Sequence, residues 1–177
     1  LHTFLSPLSN TRNDSYGGDL AGRMRFTLET AEKVRAVWPD DKPLFVRISA
    51  VDADGGGEGW QLDDSVALAG ELKARGVDVV DCSSGGIAGL ATAALGPRDQ
   101  GFRGPYGSRI RDEAGISTMV VGLVLDAHVA EDLVASGAAD LVAVGREVLY
   151  NPHWPHHMAH ALGADPDYAE WPEQYGW

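Results

Sequence analysis

The sequence predicts an α/β fold: the C-terminal half of a (β/α)8 barrel, four parallel strands with their helices, forming a single partial domain over residues 1–177. Three observations carry that prediction. Short apolar runs alternate with amphipathic stretches of helical spacing, an order that implies right-handed crossovers and a parallel sheet. No Gly-x-Gly-x-x-Gly follows any of these runs, which argues against a dinucleotide-binding doubly wound sheet. Arg47, Ser83, Ser84, Gly122, Gly145 and Arg146 all fall at C-terminal ends of the runs. A barrel converges such ends on one mouth, with phosphate commonly held after the last two strands.

Residues 6–18, with Pro7, Asn10, Asn13, Asp14, Gly17 and Gly18, read as a loop. Asp19 is a helix cap for a stretch running to about Trp38, with Met24, Leu28, Ala31 and Val34 near helical spacing, and Pro39 stops it. Residues 44–49 form a buried strand, apolar except for Arg47 and its last residue, Ser49. After a glycine-rich loop over 52–59, Asp63 is expected to cap a helix carrying Val66, Leu68, Ala69 and Leu72 and closing at Gly76. Residues 77–82 are the second strand, which empties into Ser83-Ser84-Gly85-Gly86. The stretch 87–109 reads as an extended loop in which no residue is assigned a role, and a helix is expected over 107–113. Residues 117–122 form the third strand, and Asp126 caps a helix that Gly137 ends. The strand over 140–144 delivers Gly145-Arg146 to a point where a helix can begin. A final helix covers 153–162, with Pro155 in its first turn.

The apolar fraction of 44% and charged fraction of 23% are those of a globular protein with a sizeable core. A net charge of −12 argues against non-specific binding to nucleic acid or to an anionic membrane. The one cysteine, Cys82, excludes an internal disulfide framework and suits a reducing cytoplasm, the expected location. No apolar run is long enough to span a bilayer. The opening Leu1-His2-Thr3-Phe4 has no initiator Met and belongs to no cleavable signal pattern, so the chain is expected to be a fragment of a longer product.

Gly145-Arg146 with Gly122 is the best candidate phosphate seat, because a glycine-freed backbone N–H and a guanidinium together suit an anion. The competing reading gives Gly145 a packing role and pairs Arg146 with a carboxylate such as Glu147. Arg47, interrupting an apolar strand, either pairs with a buried carboxylate or faces a ligand. Ser83, Ser84 and Gly85 offer hydroxyl and N–H donors, yet they also make an ordinary loop opening. Cys82 lies within its strand, where a packed inert thiol is favoured over a nucleophile. His153, His156, His157 and His160 contain two i,i+4 pairs, but no third ligand accompanies them; a solvated polar face is favoured and no metal site is assigned. Lys33, Lys42 and Lys73 are the only lysines, none at a strand's C-terminal end, which argues against Schiff-base chemistry.

Beyond these patterns, His2-Thr3-Phe4-Leu5-Ser6-Pro7-Leu8-Ser9-Asn10, Arg12, Asp14, Tyr16-Gly17-Gly18 and Arg23 resemble the old yellow enzyme family of FMN-dependent NAD(P)H oxidoreductases and ene-reductases. Phe45-Val46-Arg47-Ile48-Ser49, Asp81-Cys82-Ser83-Ser84-Gly85 and Val144-Gly145-Arg146-Glu147 match it in the same order, and Pro172-Glu173-Gln174-Tyr175 resembles the tail of its thermophilic-type branch. The resemblance implies a TIM barrel with FMN across the C-terminal mouth. It implies that Arg47 lies against the pyrimidine edge of the flavin. Ser83, Ser84 and Gly85 would border the ribityl and phosphate region, and Gly122, Gly145 and Arg146 would hold the phosphate. NAD(P)H would reduce the flavin, which would pass hydride to the β-carbon of an activated alkene.

The same resemblance places the substrate-polarising His-x-x-His or His-x-x-Asn pair and the proton-donating Tyr upstream of Leu1, so no catalytic residue is assigned within the chain. Tyr175-Gly176-Trp177 stands where the branch often carries an Arg reaching a neighbouring subunit. The implied partners are a small-molecule electron acceptor and, for the full-length protein, further copies of itself; no nucleic acid or membrane is expected. Two other readings stand beside this one. The first is a non-catalytic half-barrel that pairs with itself or with a missing half, since open edges and an uncovered apolar face are costly in water. The second is a flavin-free barrel enzyme holding a sugar or nucleotide phosphate at the same seat.

Overall fold

The computed structural model describes residues 1–52, 57–87 and 98–175. Four parallel strands lie side by side in chain order: β1 (Phe45–Ser49), β2 (Val79–Ser83), β3 (Ser117–Val121) and β4 (Leu141–Ala143). Three crossovers join them through α3 (Leu62–Ala74), α4 (Gly104–Ala114) and α5 (Ala127–Ala135). The remaining helices are α1 (His2–Leu5) and α2 (Leu20–Arg35) before β1, and α6 (Arg146–Tyr150) and α7 (Trp154–Ala161) after β4. A helical crossover is what returns each strand parallel to the one before it.

Strand register determines what faces the helices. Arg47 lies opposite Asp81, Ser49 opposite Ser83, Asp81 opposite Met119 and Val121 opposite Ala143. Alternate residues of a strand point to opposite faces, so Ile48, Val80, Cys82, Thr118 and Val120 share one face and are buried. They join Met24, Leu28, Leu68, Leu72 and Ile110 from α2, α3 and α4 in one core. Phe45, Arg47, Ser49, Asp81, Ser83 and Leu141 lie on the other face. On the outer strands, Phe45 is 41% and Leu141 42% exposed.

Helix boundaries follow local hydrogen bonding. The Asp19 carboxylate accepts from Gly22 N–H at 2.8 Å, and that of Asp126 from His128 N–H at 2.9 Å, so both expected caps are in place. The α3 cap differs from expectation. Gln61 is the N-cap, its N–H donating to Asp64 Oδ2 at 3.0 Å, while Asp63 sits inside the first turn. Helix α4 begins at Gly104 rather than 107, with Pro105 in its first turn. Two glycines hide that start by lowering helix propensity. Packing explains one of them: a Cβ on Gly107 would stand 2.4 Å from Val120 Cγ1, so its absence lets α4 settle on β3. The short α1 is an addition to the expected elements, while α6 begins where Gly145-Arg146 leaves room for a helix, separate from α7.

The histidines of α7 are not a bare polar face. The rings of His153, His156 and His157 lie 5.4, 5.4 and 5.0 Å from that of Trp171, and His160 stacks on Tyr168 at 4.1 Å while bonding its hydroxyl. These contacts fold the segment after α7 back over it.

Asp52 closes the loop after β1. Its buried carboxylate accepts Trp60 N–H at 2.8 Å and the Ser6 hydroxyl, and lies 2.6 Å from His2 Nε2. Asp52 N–H returns a bond to Trp60 C=O at 2.9 Å. The Trp60 ring is fully buried; its Nε1–H donates to Ser65 Oγ, which donates to Ala50 C=O. One carboxylate thus joins the N-terminal turn to the β1–α3 connection.

Burial pushes the Cys82 thiol up to about 12, with Asp81 adding to the shift. Because the ordinary value is about 8.5, the folded state favours the neutral thiol. Its contribution to stability is complete below about pH 8.5 and falls as pH rises from there towards the folded value. At pH 8 a disulfide reagent is expected to leave Cys82 unmodified in the native chain and to label it fully in denaturant. Rapid native labelling would place the thiol outside the core.

Candidate cofactor site at the strand ends

Parallel strands end on the same side, so the residues after β1–β4 meet at one edge of the sheet. At the β3 and β4 ends a cavity of about 440 Å³ is lined by Gly122, Gly145, Arg146 and, unexpectedly, Arg103. Gly145 is the N-cap of α6, and a Cβ there would meet nothing within 4 Å among the described residues, so no packing demand from them accounts for the glycine. Arg146 is exposed and forms no ion pair among the described residues, Glu147 included. An unpaired guanidinium at the rim of a cavity, beside backbone that a side chain does not crowd, suits an anion.

Gly122 has a different reason to be glycine. Its φ of +141 lies in a region that L side chains rarely adopt, and a Cβ would stand 2.6 Å from Phe102 Cε1 and 2.8 Å from Arg103 Nη1. Arg103 is 9% exposed. It donates from Nε to Ser84 Oγ at 2.9 Å and from Nη1 to Val121 C=O at 2.9 Å, and stacks on Phe102 at 4.4 Å. Burial holds its pKa below the usual guanidinium value, and the charges of Arg47 and Arg98 add to that.

Arg47, expected at a strand end, lies instead in the middle of β1, where its register partner is Asp81 in the middle of β2. Arg47 Nη1 donates to Asp81 Oδ2 at 2.8 Å, and Nη2 reaches Ser83 Oγ at 3.4 Å. The arginine side chain is 54% exposed and the carboxylate 8%, so Arg47 both pairs with a buried carboxylate and presents its edge to the mouth. Asp81 Oδ1 is buried with no hydrogen-bond partner among the described residues. Ser49 Oγ donates to Gly85 C=O, and Gly85 N–H donates to Val51 C=O at 2.7 Å. Both polar backbone groups of Gly85 are therefore engaged in holding β1 to β2, and Ser84 is engaged by Arg103. Of the seven residues singled out from the sequence, Gly122, Gly145 and Arg146 share the cavity, Arg47 and Ser83 flank the β1–β2 end, and Ser84 and Gly85 lie between. Asp81 and Arg103 had no such assignment; register opposite Arg47 marks the first, and no local pattern marks the second.

Strand-end glycines and arginines around a cavity, on helix-connected parallel strands, mark an α/β barrel segment with a mouth suited to an anionic group. Residues 1–165 match the NADH:flavin oxidoreductase / NADH oxidase family, and the chain belongs to it. It is 44% identical over 179 residues to an NADPH dehydrogenase of Geobacillus thermodenitrificans, covering 100% of this chain and 49% of the relative. It is 43% identical over 164 residues to an NADPH dehydrogenase of Halalkalibacterium halodurans, covering 92% and 46%. Among solved structures it resembles morphinone reductase in complex with tetrahydroNAD at 25% identity and a TM-score of 0.66, over 92% of this chain and 40% of that one. The chain spans about half the length of the curated relatives it matches. Family membership implies FMN as cofactor and NAD(P)H as reductant. No helix among the described residues is long and apolar enough to cross a membrane.

Proposed function

We propose that the chain supplies the phosphate-holding half of an FMN-dependent NAD(P)H oxidoreductase of the ene-reductase type, acting on an activated alkene. The observation that supports this most is the single cavity shared by Gly122, Gly145 and Arg146. The residues present fit the group: an open glycine and an unpaired guanidinium for a phosphate, and a rim arginine held by a carboxylate for a polar ring edge. Arg146 and backbone N–H groups beside Gly145 would hold the phosphate, and Ser83 would border the chain leading from it. Arg47, oriented by Asp81, would lie at the pyrimidine edge, where a fixed positive charge stabilises developing negative charge. Bound FMN supplies hydride transfer, with NAD(P)H as the electron source. The groups that polarise the alkene's carbonyl are proposed to come from the other half of the barrel, which would also cover Phe45 and Leu141 on the outer strands.

Titration of the protein with FMN, followed by flavin fluorescence, tests the cofactor assignment. Arg146→Ala is expected to weaken binding by about 10- to 100-fold, the worth of one charge-assisted contact. Absence of flavin binding by the unaltered protein would remove the reading. With the protein that also carries the other half of the barrel, conversion of 2-cyclohexenone to cyclohexanone with NADPH under nitrogen tests the alkene; NADPH consumption without that product counts against it.

A further inference from the structure

We propose that Arg103 is a second cation of the seat formed by Gly122, Gly145 and Arg146, contacting the phosphate of the ligand held there. The proposal rests on the flavin reading for the identity of that ligand. Arg103 is buried, and it lines the same cavity as Gly145 and Arg146. A guanidinium carries five N–H donors, and the two hydrogen bonds that the Arg103 guanidinium forms among the described residues go to neutral acceptors, a serine hydroxyl and a backbone carbonyl. No carboxylate forms an ion pair with it among the described residues. A buried charge without a counter-charge is costly. Among the nearby charges Arg47 and Arg98 oppose it, and the Asp81 carboxylate, already paired with Arg47, offsets them only in part. A phosphate in the cavity is the counter-charge that this arrangement lacks.

Gly122 supplies an independent observation. The glycine expected at the phosphate is also the residue whose missing side chain admits the Arg103 guanidinium, with Nη1 standing 2.8 Å from the position of a Cβ. Ser84, Val121 and Phe102 fix the guanidinium on three sides, and Arg98 lies over the same Phe102 ring at 5.1 Å. A donor already held in place loses little freedom on binding. Arg146, exposed and unpaired at the rim, would close on the anion from the other side. The chain carries a net charge of −12, so a cluster of arginines at one mouth is a local departure from its overall sign, and local fields of this kind select anions.

FMN and riboflavin share their ring and ribityl chain and differ by the phosphate, so paired affinities for the two isolate the phosphate contact. Arg103→Gln is expected to weaken FMN by about tenfold or more while changing riboflavin by less than about twofold. Arg103→Lys, which keeps the charge and loses the fork, is expected to fall between, again for FMN alone. Equal losses for both flavins in both variants would show a scaffold role only and overturn the proposal, as would unchanged FMN affinity in Arg103→Gln. If Arg103→Gln does not fold, the Arg103→Lys ratio of FMN to riboflavin decides alone. Failure of the flavin reading has another appearance: the unaltered protein then binds neither flavin. In that case calorimetry with inorganic phosphate decides, binding that Arg103→Gln abolishes supporting the second cation and no binding overturning it.

Discussion

Asp52→Ala is expected to lower the stability of the fold by about 3–5 kcal/mol, the cost of breaking a buried charge-centred network. The carboxylate has three partners, Trp60 N–H, the Ser6 hydroxyl and His2 Nε2, and its side chain is fully buried. Each polar group left without a partner in the interior costs about 1–3 kcal/mol. Asp52→Asn keeps an acceptor in place and is expected to recover part of the loss. The urea midpoint, with its slope, is the measurement. A shift equivalent to less than about 1 kcal/mol would mean that the three partners find replacements. Asp52 also lies at the sheet edge where Arg47's strand ends, so the same change is expected to loosen the β1–α3 connection next to the mouth.

Trp60→Ala is expected to cost about 3–5 kcal/mol as well, here through a cavity. The ring is among the largest fully buried side chains, and it packs in the core that joins β1 to α3. Trp60→Phe retains most of the contact area and removes the Nε1–H bond to Ser65, whose hydroxyl still donates to Ala50 C=O. That variant is expected to lose about 1–2 kcal/mol, a single hydrogen bond plus some volume. Because Asp52 holds the backbone of Trp60, the double alanine variant should lose less than the two singles together, by about 0.5–3 kcal/mol. Strict additivity in urea unfolding would separate the hub from the core.

Much of the architecture was legible because its causes are local or periodic. The four strands are short apolar runs between turn residues, and Asp19 and Asp126 each precede an apolar-periodic stretch that they cap. The start of α3 is ambiguous in sequence because Asp63 and Asp64 are both cap-forming residues, and only the bond from Gln61 N–H to Asp64 shows which turn comes first. The start of α4 is hidden in sequence for a tertiary reason. Gly104 and Gly107 weaken the helix signal, while a Cβ on either would strike Leu133 or Val120. The meeting of Gly122, Gly145 and Arg146 follows from parallel strands ending together, which strand order alone implies. Arg103 is different: its partners Ser84 and Val121 lie 19 and 18 residues away in the chain, and nothing around it in sequence foretells them. Asp81 is intermediate, because its role becomes visible once β1 and β2 are aligned.

The pairing of the strands has a consequence for how this protein can be changed. In all four strands the odd-numbered residues share one face, among them Arg47, Asp81, Val121 and Ala143, and the even-numbered ones the other. Tolerance to substitution along β1 and β2 should therefore alternate by residue parity, with even positions answering to the helix-covered core and odd positions to the opposite face, where Ser49 and Ser83, at the C-terminal ends, answer to whatever occupies the mouth. Neighbours in sequence thus answer to separate constraints, and a library confined to the odd positions at the strands' C-terminal ends can explore new ligands while leaving the even-numbered core face unaltered.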